Sequence, residues 1–237
     1  MVGYKGNLDD PTYQIMVREL VKIINEYADN EKVVCDIGCY DDYLVDKVKY
    51  KKYYLVDREF IKEELRFFDK KNEYNLIYIE KDINDFLDFA IKSELYFDVV
   101  IINSLVEHLT INERDNAFYK IRKILKDSGV LILSYPNCKS LNRLLGVEMG
   151  IIPDPTALDE GDKRVEHKIM YDWKALRHFE QYLRMKLIRE DGIMFKPLPN
   201  SMMVKYFGHE LDLFVEIGKQ IGPPYCGLLL GVYKKIF

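Results

Sequence analysis

Cysteine is scarce and unpatterned: Cys35, Cys39, Cys138 and Cys226 form no CxxC pair. Neither a zinc ribbon nor a disulfide framework is read from them, and they are expected as reduced thiols, small hydrophobes at the ends of apolar runs. Long apolar runs are missing too. Val99–Ile102 and Leu228–Leu230 fall far short of the roughly 20 residues that cross a bilayer, which excludes a transmembrane helix. Positive charge is not in excess. The chain has 35 Lys and Arg against 39 Asp and Glu, a formal net charge of -4, so the basic footprint of a nucleic-acid binder is absent. No apolar stretch follows Lys5, so no signal peptide is read and a cytoplasmic location is expected. Repeats and low-complexity tracts are also lacking, which excludes solenoids and arrays.

What is present fits one domain spanning residues 1–237. Its 237 residues are 48% hydrophobic, enough for a sizeable core. Met16, Leu20, Ile23 and Tyr27 form one face of a helix over 12–29. Continuous apolar strands are read at Val33–Ile37, Tyr53–Val56, Leu76–Ile79, Val99–Ile102 and Val130–Ser134, separated by helices. The clearest helix opens with the capping box Thr110–Glu113, buries Phe118, Ile121, Ile124 and Leu125, and is predicted to stop at Lys126–Gly129. This alternation implies a mainly parallel sheet covered on both faces, the doubly wound α/β class. Prolines then break the rhythm, and lid-like insertions are expected near 137–170 and 192–226, the second with one short helix near 209–217. Between them a helix at 172–184, capped by Asp172, should bury Trp173, Leu176, Phe179 and Leu183, and strands are read at Met185–Ile188 and Leu228–Tyr233.

In an open α/β sheet a ligand lies beyond the carboxyl ends of the strands. The residues there are polar: Asp36-Ile37-Gly38-Cys39-Tyr40, Asp57-Arg58, Asp82 and Asn103-Ser104. Gly38 permits a tight turn and close approach to a ligand. A dinucleotide fingerprint needs three glycines, and Tyr40 and Tyr43 stand where later ones would be sought. Asp36 would repel a pyrophosphate but suits a ligand carrying an ammonium or sulfonium. Asp57 is placed to accept both ribose hydroxyls, and Asp82 to receive an adenine amino group. Singly, Asp36 reads as a helix cap, Asp57 as a partner of Arg58, and Asp82 as the cap of a helix starting near Ile83. Three acids at three successive strand ends, with a glycine turn after the first, point instead to a cofactor.

Here the chain resembles the class I S-adenosylmethionine-dependent methyltransferases, over most of its length. Val33–Cys39 resembles the family's first motif, Tyr54–Asp57 the second and Lys81–Ile83 the third. Phe97–Leu109 resembles the fourth, in the form of the ubiquinone-biosynthesis O-methyltransferases (type 11 methyltransferase group), and Gly129–Asn137 the strand and Pro-Asn turn that follow. The resemblance implies a Rossmann-like seven-stranded sheet with an antiparallel last strand, for which Leu228–Tyr233 is the candidate. It also implies S-adenosylmethionine as cofactor and S-adenosylhomocysteine as product. By the same resemblance Asp36 and Gly38 hold the methionine part, Asp57 with Arg58 the ribose end, Asp82 and Ile83 the adenine, and Asn103 with Ser104 the methionine backbone. Tyr40 departs from a glycine often found at that place, and its ring can pack over the cofactor.

Glu107 and His108 follow the fourth strand, where a methyl acceptor should enter. Relatives in the ubiquinone group and the small-RNA 3′-terminal 2′-O-methyltransferases carry a Glu-x-x-Glu-His run here as metal ligands, and this chain has Ser104 in place of the first Glu. Glu107, His108 and His167 still make a 2-His-1-carboxylate set, but no metal is assigned, a divalent ion being the less favoured reading. The favoured one is metal-free transfer, with His108, or His167 after it, as a base titrating near neutrality. His178 and His209 are read as surface or packing residues.

The insertions should shape the acceptor pocket. Residues 137–170 hold five basic against six acidic side chains and 192–226 three against three, so neither is a basic funnel. The expected partner is a small-molecule acceptor, with no membrane and no nucleic acid. Asn142–Gly146 and Gly192–Pro197 resemble segments of bacterial methyltransferases of surface-polysaccharide pathways. This implies a hydroxyl of a sugar or nucleotide-sugar, whose phosphate or carboxylate Lys139, Arg143 or Lys196 could hold. The alternatives are a metal-assisted RNA-terminal methyltransferase and a cofactor-binding module without catalysis.

Overall fold

The computed structural model describes residues 10–236; the N-terminal residues from which the absence of a leader was read lie outside them. Seven strands form one sheet: β1 Val33–Ile37, β2 Lys52–Asp57, β3 Leu76–Glu80, β4 Phe97–Asn103, β5 Leu125–Pro136, β6 Met185–Phe195 and β7 Cys226–Lys235. Their order is β3-β2-β1-β4-β5-β7-β6. Strands β1 to β5 pair in parallel, and β7 lies antiparallel between β5 and β6, as the resemblance implied.

Both faces are covered. Successive strand residues alternate between two apolar clusters, Val34 and Tyr53 on one face, Cys35 and Tyr54 on the other. The first face packs on α1 Pro11–Tyr27, whose Val17, Leu20, Ile23 and Ile24 are buried. The second packs on α2 Ile83–Lys92 and α3 Ile111–Ile124. The capping box at Thr110 and Glu113 forms as read, and Phe118, Ile121, Ile124 and Leu125 are fully buried. Cys35, Cys138 and Cys226 are buried and all four cysteines are free thiols.

The structure departs from the sequence reading in three places. No α-helix joins β1 to β2, where residues 41–47 form bends and turns, or β2 to β3, where only the single 3-10 turns Lys62–Glu64 and Phe68–Lys70 stand. The buried Asp42 carboxylate accepts the N–H groups of Arg66 and Phe67 at 3.1 and 2.7 Å and the Tyr78 hydroxyl at 3.1 Å, so this stretch docks on the loop after β2 through a side chain. Secondly, Lys126–Gly129 lies inside β5, and Gly129 does not take the left-handed conformation of a helix-ending glycine. Glycine is needed there because a Cβ would meet the Phe97 carbonyl at 2.9 Å. Thirdly, the insertions are more regular than expected. Residues 137–170 contain α4 Leu141–Glu148 and α5 Glu160–Arg164. After α6 Lys174–Leu183, strand β6 continues through Gly192 to Phe195, followed by α7 Asn200–Phe207 and α8 Leu211–Ile221. Their prolines fall at helix starts and connections rather than within helices. Among the described residues no helix is long and apolar enough to cross a membrane.

Candidate functional site

The strand order reverses between β1 and β4, and such a switch point leaves a crevice beyond the strand ends. A cavity lies there. Asp36, Gly38, Tyr40, Asp57, Arg58, Asp82, Ile83, Asn103, Ser104 and His108 all line it. A second cavity, lined by Glu107 and His167, adjoins the first through a shared wall of Tyr13, Asn103 and Ser104. The structure therefore brings the strand-end residues, Glu107, His108, His167 and Lys196 onto two cavities that share a wall, while Lys139 and Arg143 line neither.

The turn after β1 is shaped by backbone strain. Gly38 has φ +75°, and a Cβ there would lie 2.7 Å from Leu105 Cδ2. Tyr40, Ser104 and Glu166 also take left-handed φ values, 59°, 51° and 62°, and all three line the first cavity. Non-glycine residues in this region cost about 1–2 kcal/mol each, and such outliers cluster at ligand sites.

The acids behave differently from one another. Asp36 is buried and accepts the Tyr53 hydroxyl at 3.0 Å. Burial, with Asp41 and Asp57 adding repulsion against the Tyr53 hydrogen bond, pushes its carboxyl up to about 7. Asp41 is pushed up to about 6, chiefly by burial. Asp57 Oδ2 accepts the Tyr40 N–H at 2.7 Å, and burial raises its carboxyl above the usual range. Arg58 reaches Glu166 at 3.5 Å in an exposed pair. Asp82 both lines the cavity and caps α2, accepting the Asn84 N–H at 3.0 Å. Asn103 Oδ1 accepts the Ser134 hydroxyl at 2.6 Å.

Glu107, His108 and His167 converge because the first insertion docks on the loop after β4: the Glu107 carbonyl accepts the N–H groups of Lys168 and Ile169 at 2.7 and 3.2 Å. One ligand atom from each of the three side chains lies within 4.8 Å of the others. Glu107 is buried with neither carboxylate oxygen hydrogen-bonded, and burial pushes its carboxyl up to about 7. The expectation that His108 titrates near neutrality is not met. Burial and the neighbouring His167 push its imidazole down to about 4, so it is neutral and only a weak base. His167 Nδ1 lies 3.0 Å from Asp162 Oδ1, and Arg143 holds the other Asp162 oxygen at 2.9 Å. A carboxylate behind an imidazole and an orphaned carboxylate in front are the surroundings a divalent cation would need. His178 and His209 are exposed, as read.

Several wall residues were not found from sequence, among them Asp41, Glu166, Tyr13 and Asn200. Tyr13 lies on α1, one turn before Val17 on the same face, and that spacing was the available signal. Asn200 opens α7 and carries no motif.

A family model described as a methyltransferase domain matches residues 13–190. No curated protein sequence matches the chain. Among solved structures the chain is similar to a SAM-dependent methyltransferase of Archaeoglobus fulgidus, at 18% identity and TM-score 0.54 with 93% of each chain covered. It is similar to the N-methyltransferase NodS of Bradyrhizobium japonicum in complex with S-adenosylhomocysteine, at 12% identity and TM-score 0.59, over 97% of this chain and 90% of that one. A third is a Burkholderia thailandensis 1,6-didemethyltoxoflavin-N1-methyltransferase, whose structure holds its acceptor and S-adenosylhomocysteine, at 11% identity and TM-score 0.60, over 99% and 84% of the two chains. At these identities the likeness is one of fold.

Proposed function

The chain belongs to the methyltransferase-domain family, and from this we propose that it transfers a methyl group from S-adenosylmethionine to a hydroxyl oxygen of a small acceptor of sugar or nucleotide-sugar type, leaving S-adenosylhomocysteine. The observation that carries the reading is the convergence of Asp36, Asp57 and Asp82 with Gly38 on one cavity. Bound S-adenosylmethionine supplies a methyl on a sulfonium; the S–C bond breaks as the acceptor oxygen forms the new O–C bond. Asp57 offers Oδ1 to the ribose hydroxyls while its Oδ2 holds the Tyr40 turn. Asp36 places negative charge on the side where a cation binds, Asp82 and Ile83 border the adenine, and Asn103 and Ser104 the methionine part. The acceptor enters through the adjoining cavity. There the unpartnered Glu107 carboxyl, held near 7, suits removal of the acceptor's proton at neutral pH better than His108 does. Surface-polysaccharide synthesis in the cytoplasm is the setting such an acceptor fits.

A second reading is favoured by one observation, the two orphaned Glu107 oxygens beside two imidazoles. Glu107, His108 and His167 would hold a divalent cation that polarises an acceptor hydroxyl, as in methylation of an RNA-terminal ribose. The balanced charge of both insertions weighs against RNA. A cofactor-binding module without transfer is weighed down by the second cavity, which offers an acceptor somewhere to sit.

Calorimetric titration with S-adenosylhomocysteine tests the proposal, run once with a chelator and once with magnesium or manganese. Binding in both conditions is expected. Absence of binding in either would return the strand-end acids to the role of caps and ion pairs.

A further inference from the structure

Three basic side chains of the insertions could meet an acidic group on the acceptor, and the fold separates them. Lys139 pairs with Asp172 at 2.8 Å. Arg143 spends its guanidinium on Asp162, Asp159 and the carbonyls of Pro155 and Ala157. Lys196 lines the second cavity, and among the described residues no ion pair within 4.0 Å holds its ammonium. Its stem lies over Gly227, where a Cβ would come within 2.9 Å of Lys196 Cδ. A glycine in β7 thus leaves the channel along which this lysine reaches the cavity.

A second unsatisfied group lines the same cavity. Asn200 Nδ2 donates to Asp10 Oδ2 at 2.9 Å, while its Oδ1 is buried without a partner. Rotating the amide would set that oxygen against the Asp10 carboxylate, so the unmet need is for a hydrogen-bond donor. Two carboxylates, Asp10 and Asp162, and one guanidinium, Arg143, act on the Lys196 ammonium. Burial, with Arg143 adding and Asp10 and Asp162 opposing, brings the Lys196 amine down to about 8. With carboxylates already in excess around it, the single ammonium can meet one further negative charge, whereas a dianionic phosphate would add an uncompensated charge to a partly buried site.

We propose that the second cavity is an acceptor subsite in which Lys196 holds a carboxylate and Asn200 Oδ1 receives a neighbouring hydroxyl. The acceptor is then a hydroxylated carboxylic acid, such as a sugar acid, with its methyl-receiving hydroxyl toward Glu107 and the wall shared with the first cavity. This rests on the methyl-transfer reading above and narrows its acceptor.

The test is calorimetry with D-glucuronate, glucose 6-phosphate and glucose, on the protein with and without saturating S-adenosylhomocysteine. Glucuronate should bind about tenfold or more tightly than glucose, the effect expected of a hydrogen-bonded charge. Lys196→Met, and Gly227→Ala through displacement of the lysine stem, should remove that advantage while S-adenosylhomocysteine affinity is unchanged. Equal binding of glucuronate and glucose, no binding of any of the three, or an unaltered Lys196→Met protein would overturn the subsite. Preference for glucose 6-phosphate would overturn the carboxylate. Failure of S-adenosylhomocysteine to bind would sink the methyl-transfer reading instead, leaving Lys196-dependent glucuronate binding to the free protein to decide the subsite.

Discussion

Asp57 Oδ2 accepts the backbone N–H of Tyr40 at 2.7 Å, tying the end of β2 to the turn after β1. Tyr40 stands where related methyltransferases often carry glycine, and its φ of 59° is a value that glycine adopts without strain. The carboxylate helps to hold a strained turn that the side chain alone would disfavour. On the proposed reading Asp57 has two tasks: Oδ2 holds the turn, and Oδ1, which receives the Glu59 N–H at a long 3.5 Å, is left for the ribose.

Replacing Asp57 with Ala removes a charged acceptor from the cavity and frees the Tyr40 turn. S-adenosylhomocysteine affinity should fall by about tenfold or more, since hydrogen bonds to charged groups contribute about 1.5–3 kcal/mol. Asp57→Asn, which keeps one acceptor oxygen, should lose less. Calorimetry on both variants distinguishes these outcomes, and an unchanged affinity in Asp57→Ala would take the residue out of the site.

Much of this was legible because hydrophobic periodicity and turn chemistry are local. The five parallel strands, the Thr110 capping box, buried Leu20 and Ile23 on α1 and buried Leu176, Phe179 and Leu183 on α6 each follow from a few consecutive residues, whereas Met16, Tyr27 and Trp173 are only half-buried. What was not legible depends on partners distant in sequence. The helix expected between β1 and β2 is replaced by a loop whose Asp42 binds groups 24 to 36 residues away. The pairing of Lys196 with Gly227 and of Asn200 with Asp10 joins parts of the chain that carry no shared pattern. The lowered basicity of His108 comes from burial beside His167, which four further elements separate from it in the chain.

Asp36 predicts a pH dependence whose sign follows from linkage. Its carboxyl titrates near 7 in the folded protein, against about 4 in an unfolded chain. Between those values the native state keeps a proton that the unfolded state has lost, so its contribution to stability is present at low pH and declines as pH rises toward 7. Thermal melts of Asp36→Asn should show a smaller loss from pH 5 to pH 8 than the parent. A cationic ligand prefers the ionised form, so S-adenosylmethionine affinity should rise from about pH 6 to about pH 8, and flatten in Asp36→Asn. Parallel profiles for parent and variant would mean that Asp36 does not titrate there.

Arg143 predicts a local rather than a global effect. Its side chain joins α4 to Pro155, Ala157, Asp159 and Asp162, and through Asp162 it fixes His167. Arg143→Met leaves Asp162 without its cation, a change that commonly costs about 3–5 kcal/mol when the pair is buried. Amide hydrogen exchange should quicken across residues 155–167 while β1 to β5 stay protected. Uniform quickening through the sheet would instead make Arg143 a determinant of the whole fold.

The role of Glu107 separates the two functional readings without an acceptor in hand. If Glu107, unpartnered at both oxygens beside two imidazoles, serves as a metal ligand, a bound cation stabilises the native state and raises Tm by mass action. The metal reading therefore expects manganese to raise the Tm of the parent protein, whereas the metal-free transfer proposed above expects no rise. The rise should vanish in Glu107→Gln, whose amide is a poor ligand, and shrink in Asp162→Ala, which removes the group orienting His167. A rise of the same size in all three proteins would place the ion elsewhere. No rise in the parent would leave Glu107 as the proton acceptor of metal-free transfer, because its charge would then be met only by the acceptor's own proton.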